Sequence, residues 1–277
     1  MKNTNLNKKI IQQVQRKIKQ KFLQNYKYAF LNNHIEDYTV FINTIPKSGT
    51  HLIYNMLKPI EGLRWFDEFI VSKPSRPYRQ VSDRLIFYKI EKLINKEVAR
   101  AHLEFKIEYL QYLNEKKAII FFLIRDPRDI LISEINYLSN INIFHSLYPY
   151  FHKEKSLEKR IIMSLEGFQD NKIILDPFSD RINSFLGWMD NKNNVTTLKY
   201  ENFVSQNKQI DMICNAFSEK NTIINETTRK KILDFANPKF SHTFTSLSKK
   251  NWRDKIPINL HNLVNQYLDA TIKKMGY

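Results

Sequence analysis

Apolar and polar positions along this chain predict strands that alternate with helices. Residues 38–43 predict a buried strand, and residues 118–124 are an apolar run rich in Ile and Phe, which is typical of a strand buried on both faces. Shorter runs at 98–101 and 195–198 predict two more strands. Apolar residues at helical spacing predict helices near residues 50–57, 82–94, 104–113, 127–138, 156–168, 178–190, 207–217, 224–236 and 257–274. This order indicates right-handed βαβ units: one α/β domain with a central parallel sheet flanked by helices, and a helical C-terminal half.

The first 36 residues are predicted to be a basic amphipathic helix that precedes a domain at 37–277. Residues 1–31 hold eight lysines and arginines and no acidic residue. An apolar stripe recurs at helical spacing and consists of Ile10, Ile11, Val14, Ile18 and Phe22. The stripe either packs on the domain or lies on an anionic membrane surface. We favour packing, because most amphipathic helices serve that purpose.

Composition narrows the class of protein. Hydrophobic residues make up 42% of the 277 residues and aromatic residues 13%, which excludes general disorder. The single cysteine, Cys214, indicates a reducing compartment. No apolar run approaches the roughly 20 residues that span a bilayer, and the N-terminus lacks the apolar centre of a secretory signal, so we expect a cytoplasmic protein. The net charge of +16 indicates an anionic partner.

A candidate phosphate site lies between the first strand and the following helix. Lys47 stands in a short loop, Gly49 allows close backbone approach, and the helix begins at the hydroxyl residue Thr50. The free N–H groups of a helix N-terminus and a nearby lysine bind phosphate well. The segment lacks the first glycine of the Walker pattern, so the loop is only P-loop-like.

A second candidate anion site follows the apolar strand 118–124. Arg125 can contact a phosphate with two N–H groups, and Ser133 can add a hydroxyl from the first helical turns. In open α/β sheets, ligands bind at the carboxyl ends of the strands. Two such anion sites predict a ligand with two separated phosphates.

Five segments, in order, resemble the sulfotransferases that use 3′-phosphoadenosine 5′-phosphosulfate (PAPS). These segments are Pro46–Thr50, Arg100–Leu103, Arg125–Ser133, Tyr200–Asn202 and Lys250–Arg253. They resemble, respectively, the family's 5′-phosphosulfate loop, its segment with the catalytic histidine, its 3′-phosphate segment, its Tyr-Glu-Asp element and the end of its C-terminal nucleotide loop. The resemblance spans about residues 38–256 and implies PAPS as the donor, PAP as the product and no metal.

The resemblance also implies roles for individual residues. His102 would be the catalytic base, with Lys47 and Arg100 beside it in the catalytic group. The nucleotide would contact Lys47, Ser48, Gly49, Thr50, His51, Leu52, Arg125, Ser133, Tyr200, Ser246, Lys249 and Lys250. Three positions depart from the family. Leu52 replaces an adenine-stacking tryptophan, a role we give to Phe235 or Phe240. Glu104 replaces a proline, and residues 245–247 replace an Arg-Lys-Gly triplet, where Lys249 and Lys250 would supply the charge.

The predicted reaction moves a sulfuryl group to a hydroxyl or amine of a small molecule. Such a transfer is an in-line displacement in which charge stabilisation dominates, and a histidine with a pKa near neutrality suits the proton transfer. Aromatic residues in 62–82 and 140–156 are candidates for the acceptor pocket. A secondary metabolite is our first expectation for the acceptor and a saccharide our second.

Two other functions fit part of the pattern. A P-loop kinase-like phosphotransferase shares the strand–loop–helix phosphate site, but the Gly-Lys-Ser/Thr order and an acidic Mg²⁺ ligand are missing from the expected places. A basic nucleic-acid-binding module would explain the charge, but no nucleic-acid motif is recognisable, so we expect no nucleic-acid partner. The oligomeric state is not predicted.

Overall fold

Five strands form the parallel sheet that the sequence predicts. The structure is a computed structural model that describes residues 2–31, 33–203, 208–236 and 251–277. The strands of the sheet are β1 (Val40–Thr44), β2 (Phe69–Val71), β3 (Val98–His102), β4 (Ile119–Ile124) and β7 (Val195–Lys199). Their order is β2-β3-β1-β4-β7, and every neighbouring pair is parallel. A separate antiparallel pair joins β5 (Phe168–Gln169) to β6 (Ile174–Leu175).

Helices occupy the predicted stretches, and their bounds differ by a few residues. They are α1 (Lys2–Phe30), α2 (Thr50–Met56), α3 (Asp83–Glu91), α4 (Ile107–Glu115), α5 (Pro127–Asn136), α6 (Tyr148–Lys153), α7 (Leu157–Glu166), α8 (Phe178–Asp190), α9 (Lys208–Ser218), α10 (Glu226–Ala236) and α11 (His261–Met275). A π-helical turn at Tyr137–Ile141 extends α5. The predictions missed β2, β5, β6 and α6, because strands of two or three residues and a helix of six residues are too short to show a period.

The two faces of the sheet bury separate cores. Along β4, Phe122 packs into one hydrophobic cluster, and its neighbours Phe121 and Leu123 pack into the other. Side chains alternate between the faces of a strand, so a strand covered on both faces is apolar throughout. The first cluster includes residues of α3, α4, α5, α7, α8 and α11, and the second includes residues of α2, α9 and α10.

The sheet brings the two predicted anion sites to one edge. β1 and β4 are direct neighbours, and Thr44 at the end of β1 is in register with Leu123 near the end of β4. The turn after β1 and the segment after β4 therefore leave the sheet side by side. β3 lies on the other side of β1, so His102 at its end joins the same edge.

The described members of the apolar stripe of α1 do not pack on the domain, so that prediction was wrong. Ile11, Val14, Ile18 and Phe22 are 50–68% exposed. The helix attaches through Lys27, whose ammonium is buried among carboxylates of the domain. Within the described residues, no helix is both long and apolar enough to cross a bilayer. The cytoplasmic location stays a prediction.

Candidate active site

The turn between β1 and α2 has an unusual backbone. Gly49 has a φ of 107° and Lys47 a φ of 73°, both in the left-handed region. A Cβ atom at position 49 would lie 2.7 Å from Cδ2 of Tyr200, so glycine lets that ring pack directly on the turn. A non-glycine residue with positive φ stores strain of the kind that proteins keep at functional sites. The turn thus holds Lys47 on a fixed backbone.

The Lys47 side chain is a cation without an acidic partner among the described residues. Its Nζ lies 4.1 Å from the centre of the Tyr137 ring, and no carboxylate oxygen of the described chain is within ion-pair distance. Burial lowers the pKa of Lys47 to about 8; the Arg125 charge adds to this effect and Glu134 opposes it. A partly buried cation without an acidic partner is suited to an anionic ligand.

Hydroxyl groups surround the same turn. Ser48 is fully buried, and its Oγ has no hydrogen-bond partner among the described residues. Thr44 Oγ1 and Thr50 Oγ1 are 2.7 Å apart and share one hydrogen bond. A buried polar atom without a partner carries a desolvation cost that a bound ligand can relieve. The donor set of one ammonium, several hydroxyls and the first N–H groups of α2 therefore fits a phosphate or phosphosulfate group.

His102 at the end of β3 is held in a defined tautomer. Its Nδ1 lies 2.9 Å from the carbonyl oxygen of Thr44 and 3.0 Å from Thr44 Oγ1. A carbonyl oxygen only accepts, so Nδ1 carries the proton and donates it. Nε2 is then unprotonated, with a lone pair available to accept a proton. Thr44 therefore fixes His102 in the tautomer that a general base at Nε2 requires.

His102 is uncharged near neutral pH. Burial lowers its pKa to about 4; the bond to the Thr44 backbone opposes this effect, and the charge of Lys47 adds to it. The expected pKa near neutrality was therefore wrong for the protein without nucleotide. The ring of Phe69 lies 5.0 Å from the His102 ring, centre to centre, and helps to exclude water.

Arg125 connects the second anion site to the first. Its guanidinium lies 4.4 Å from the centre of the Tyr200 ring, and its Nη1 donates to the Lys47 carbonyl oxygen over 3.4 Å. Its Nε is buried and has no hydrogen-bond partner in the described part of the chain. Lys47, Gly49, Arg125 and Tyr200, predicted from three separate segments, thus form one contiguous group.

A brace behind Arg125 was not predicted. Glu201 accepts a hydrogen bond from the backbone N–H of Asp126 over 2.9 Å, and the Tyr277 hydroxyl donates to the same carboxylate over 2.6 Å. Glu201, the second residue of the segment Tyr200–Asn202, and Tyr277 lie far apart in sequence. No local pattern therefore pointed to Tyr277. The brace holds the start of α5, where Arg125 leaves the sheet.

Arg100 already has a partner. Its guanidinium forms an ion pair with Asp67 and lies 4.4 Å from the centre of the Tyr54 ring. One of its nitrogens, Nε, is buried without a hydrogen-bond partner among the described residues. Its catalytic role stays a prediction.

The other residues predicted to contact the nucleotide differ in their burial and position. Ser133 is partly buried on α5, and His51 is exposed in the first turn of α2. The Leu52 side chain is 3% exposed within the core, and its N–H donates to the Gly49 carbonyl oxygen. Leu52 therefore offers neither a stacking surface nor a free donor. Ser246, Lys249, Lys250 and Phe240 lie outside the described residues, whereas Phe235 is partly buried against the core on the α2 side of the sheet.

Two site residues, Thr44 and Tyr137, were missed by sequence reasoning. Thr44 could have been found, because it directly precedes the anion-binding turn. Tyr137 gave no signal, since its position over Lys47 depends on the π-helical turn. In the ranges that the structure describes, no group of three or more His, Cys, Asp or Glu side chains is placed to hold a metal ion.

Comparison with known proteins identifies the family. The sulfotransferase domain family matches residues 37–276, so the chain belongs to this family. The amine sulfotransferase of rabbit (Oryctolagus cuniculus) is 27% identical over 190 residues, which cover 67% of this chain and 58% of that protein. This chain thus spans less than two thirds of that relative. The family assignment decides against the kinase alternative.

Solved structures show the same fold. Mouse sulfotransferase SULT7A1, crystallised with PAP, superposes with a TM-score of 0.57 at 16% identity, covering 92% of this chain and 93% of that one. Retinol dehydratase in complex with androsterone and the inactive cofactor PAP gives a TM-score of 0.54 at 13% identity, covering 91% and 85% of the two chains. At these identities the likeness establishes the fold alone.

Proposed function

We propose that this protein transfers the sulfuryl group of PAPS to a hydroxyl or amine of a small-molecule acceptor, with His102 as the general base. The observation that supports this proposal most directly is the tautomer of His102. Nδ1–H is bound to the Thr44 carbonyl, so the unprotonated Nε2 remains for the acceptor's proton. Thr44 also directly precedes the turn that carries Lys47, so the same residue helps to position both His102 and Lys47.

The cations of the site suit the charge that develops during transfer. The leaving group is a phosphate oxygen that gains negative charge, and Lys47 with the N–H groups of the turn would stabilise it. Arg125 and Ser133 would hold the 3′-phosphate, and Tyr200 would face the adenosine. Arg125 packs on the Tyr200 ring, which supports assigning both residues to one nucleotide.

The acceptor would meet a wall of uncharged rings beside Lys47. Tyr137, which lies against Lys47, has its ring centre 6.2 Å from that of His145, and Tyr78 lies 5.3 Å from His145 on its other side. Burial lowers the pKa of His145 to about 4, so this ring is neutral as well. Both Tyr78 and His145 belong to the segments expected to shape the pocket. Such a wall favours an aromatic or apolar acceptor, in line with a secondary metabolite before a saccharide.

The test is a transfer assay with sulfate-labelled PAPS. Phenols, aliphatic alcohols, amines and saccharides are offered separately, with amines included because the rabbit relative is named for them. We expect label transfer to at least one class, and no transfer of the γ-phosphoryl group from ATP. Failure of PAP to bind in calorimetry, together with no transfer to any acceptor, would contradict the proposal.

A further inference from the structure

The outward face of α1 carries the exposed apolar stripe. Its described members are Ile11, Val14, Ile18 and Phe22, with exposed fractions of 56%, 50%, 64% and 68%. Tyr26 and Phe30 continue it, and their rings contact each other at 5.4 Å. At 1.5 Å per residue the stripe is roughly 30 Å long. A continuous apolar surface of this length marks an interaction site.

The opposite face fixes the helix to the domain, so the stripe cannot turn inward. Lys27 Nζ is fully buried and lies 3.1 Å from a carboxylate oxygen of Glu68 and 2.8 Å from one of Glu97. Two helical turns earlier, Gln20 Nε2 donates to the Asp67 carbonyl oxygen over 2.9 Å. At 100° per residue, positions 20 and 27 lie on the side away from positions 11, 14, 18 and 22.

The charges that flank the stripe have one sign. Lys17, Lys19 and Lys21 are exposed on both sides of it, and no acidic residue occurs before Glu36. An apolar face bordered by lysines is complementary to a surface with anionic headgroups above an apolar interior. Phe22, Tyr26 and Phe30 add aromatic rings, which favour the membrane–water interface.

The spacing of the stripe argues against pairing with a second copy. Steps of three, four, four, four and four residues average 3.8 residues, which is further from the 3.5-residue period of a coiled coil than from the 3.6-residue period of a straight helix. A heptad seam through Ile11, Val14 and Ile18 would continue at Lys21 and Asn25, both exposed polar residues.

We propose that α1 docks the protein on anionic membrane surfaces, with the apolar stripe inserted at the headgroup boundary and the flanking lysines on the headgroups. α1 lies ahead of residue 37, where the family match begins. The docking function is therefore independent of the transfer reaction, and its test does not use enzyme activity.

The experiment measures binding of the full chain to vesicles of phosphatidylcholine with and without phosphatidylserine. The stripe variant carries Ile11→Gln, Val14→Gln, Ile18→Gln and Phe22→Gln, which keep the charge and the helix propensity. Its matched control carries Ile223→Gln and Ile258→Gln, two apolar residues that are 89% and 84% exposed elsewhere. We expect the stripe variant to lose roughly tenfold or more in partitioning to phosphatidylserine vesicles, while the control matches the wild type.

A charge comparison and a depth probe complete the test. Replacing Lys17, Lys19 and Lys21 with glutamine should weaken binding more than replacing the exposed Lys159, Lys172 and Lys192 does. Phe22→Trp should gain fluorescence quenching by brominated lipid above the wild-type background.

Equal binding of the stripe variant and the wild type would overturn the proposal, because it would mean that the vesicles attract the protein only through its net charge. A change in molar mass on stripe substitution, without loss of vesicle binding, would assign the face to a second copy instead.

Discussion

Replacing His102 should separate nucleotide binding from chemistry. In His102→Ala the phosphate contacts proposed for Lys47 and Arg125 would remain, so the affinity for PAP in calorimetry should change little. Loss of a positioned general base typically costs roughly 10²–10⁴-fold in turnover, and we expect kcat to fall within that range. His102→Gln should show a similar loss, because its amide can donate to the Thr44 carbonyl but cannot accept the acceptor's proton.

The pH dependence follows from the site's charges. Burial lowers the pKa of His102 to about 4, below its usual 6.5, so the base is already neutral between pH 5 and 8 in the nucleotide-free enzyme. A bound anionic nucleotide favours the imidazolium and should raise this pKa. The rate should therefore fall with decreasing pH only below the raised pKa. Long-range ¹⁵N NMR at pH 7 should show a neutral ring protonated at Nδ1, and PAP should move the titration midpoint upward.

The matched control is His34→Ala, since His34 is exposed and precedes β1 at the opposite end of the strand from the site. It should leave kcat unchanged. Melting temperatures of all variants distinguish lost chemistry from lost folding. A well-folded His102→Ala enzyme with ordinary turnover, or a ring protonated at Nε2, would refute the assigned role.

Four further changes test the rest of the structure. Lys47→Ala should reduce kcat/KM by roughly 10²-fold or more, and wild-type affinity for PAP should decline as pH rises through about 8, where Lys47 loses its charge. Arg125→Ala should weaken binding of PAP in calorimetry but hardly that of the analogue without the 3′-phosphate. Gly49→Ala should lower both the melting temperature and PAP affinity, because its Cβ would strike Tyr200 and its φ of 107° suits glycine. Lys27→Met should reduce the free energy of unfolding in urea by about 3–5 kcal/mol, since the buried Glu97 loses its cation and Glu68 keeps only Lys89.

Each of these predictions has a result that would contradict it. Lys58→Ala, at an exposed lysine after α2, is the control for Lys47 and should be neutral. Equal losses for both nucleotides would remove Arg125 from the 3′-phosphate. Unchanged PAP affinity in Gly49→Ala would mean that the turn does not shape the site, and a Lys27→Met protein as stable as the wild type would show that the buried charges need no pairing.

Local patterns predicted the sheet and the phosphate turn because both are local in sequence. The strands at 38–43 and 118–124 are buried on both faces, and such strands can be recognised from their own residues alone. The anion-binding turn likewise needs only a strand end, Lys47, Gly49 and a helix start. The arrangement that makes these pieces a site is long-range: Thr44 binds His102, and Tyr277 supports Glu201, across many intervening residues. A period in the sequence contains no information about such contacts.

The orientation of α1 shows a second limit of prediction from sequence. This limit arises from the free energy of burying charged groups and not from the distance between residues along the sequence. A helical wheel identifies an apolar face, and burial of that face is the usual outcome because each apolar side chain gains by leaving water. In this chain Lys27 lies on the other face, and its ammonium has two buried carboxylates within 3.1 Å. If α1 turned its apolar stripe inward, Glu97 would be buried without its cation and Glu68 would keep only Lys89, a cost that a helical wheel does not include. The face that carries Lys27 therefore attaches to the domain, and the apolar face is exposed to solvent.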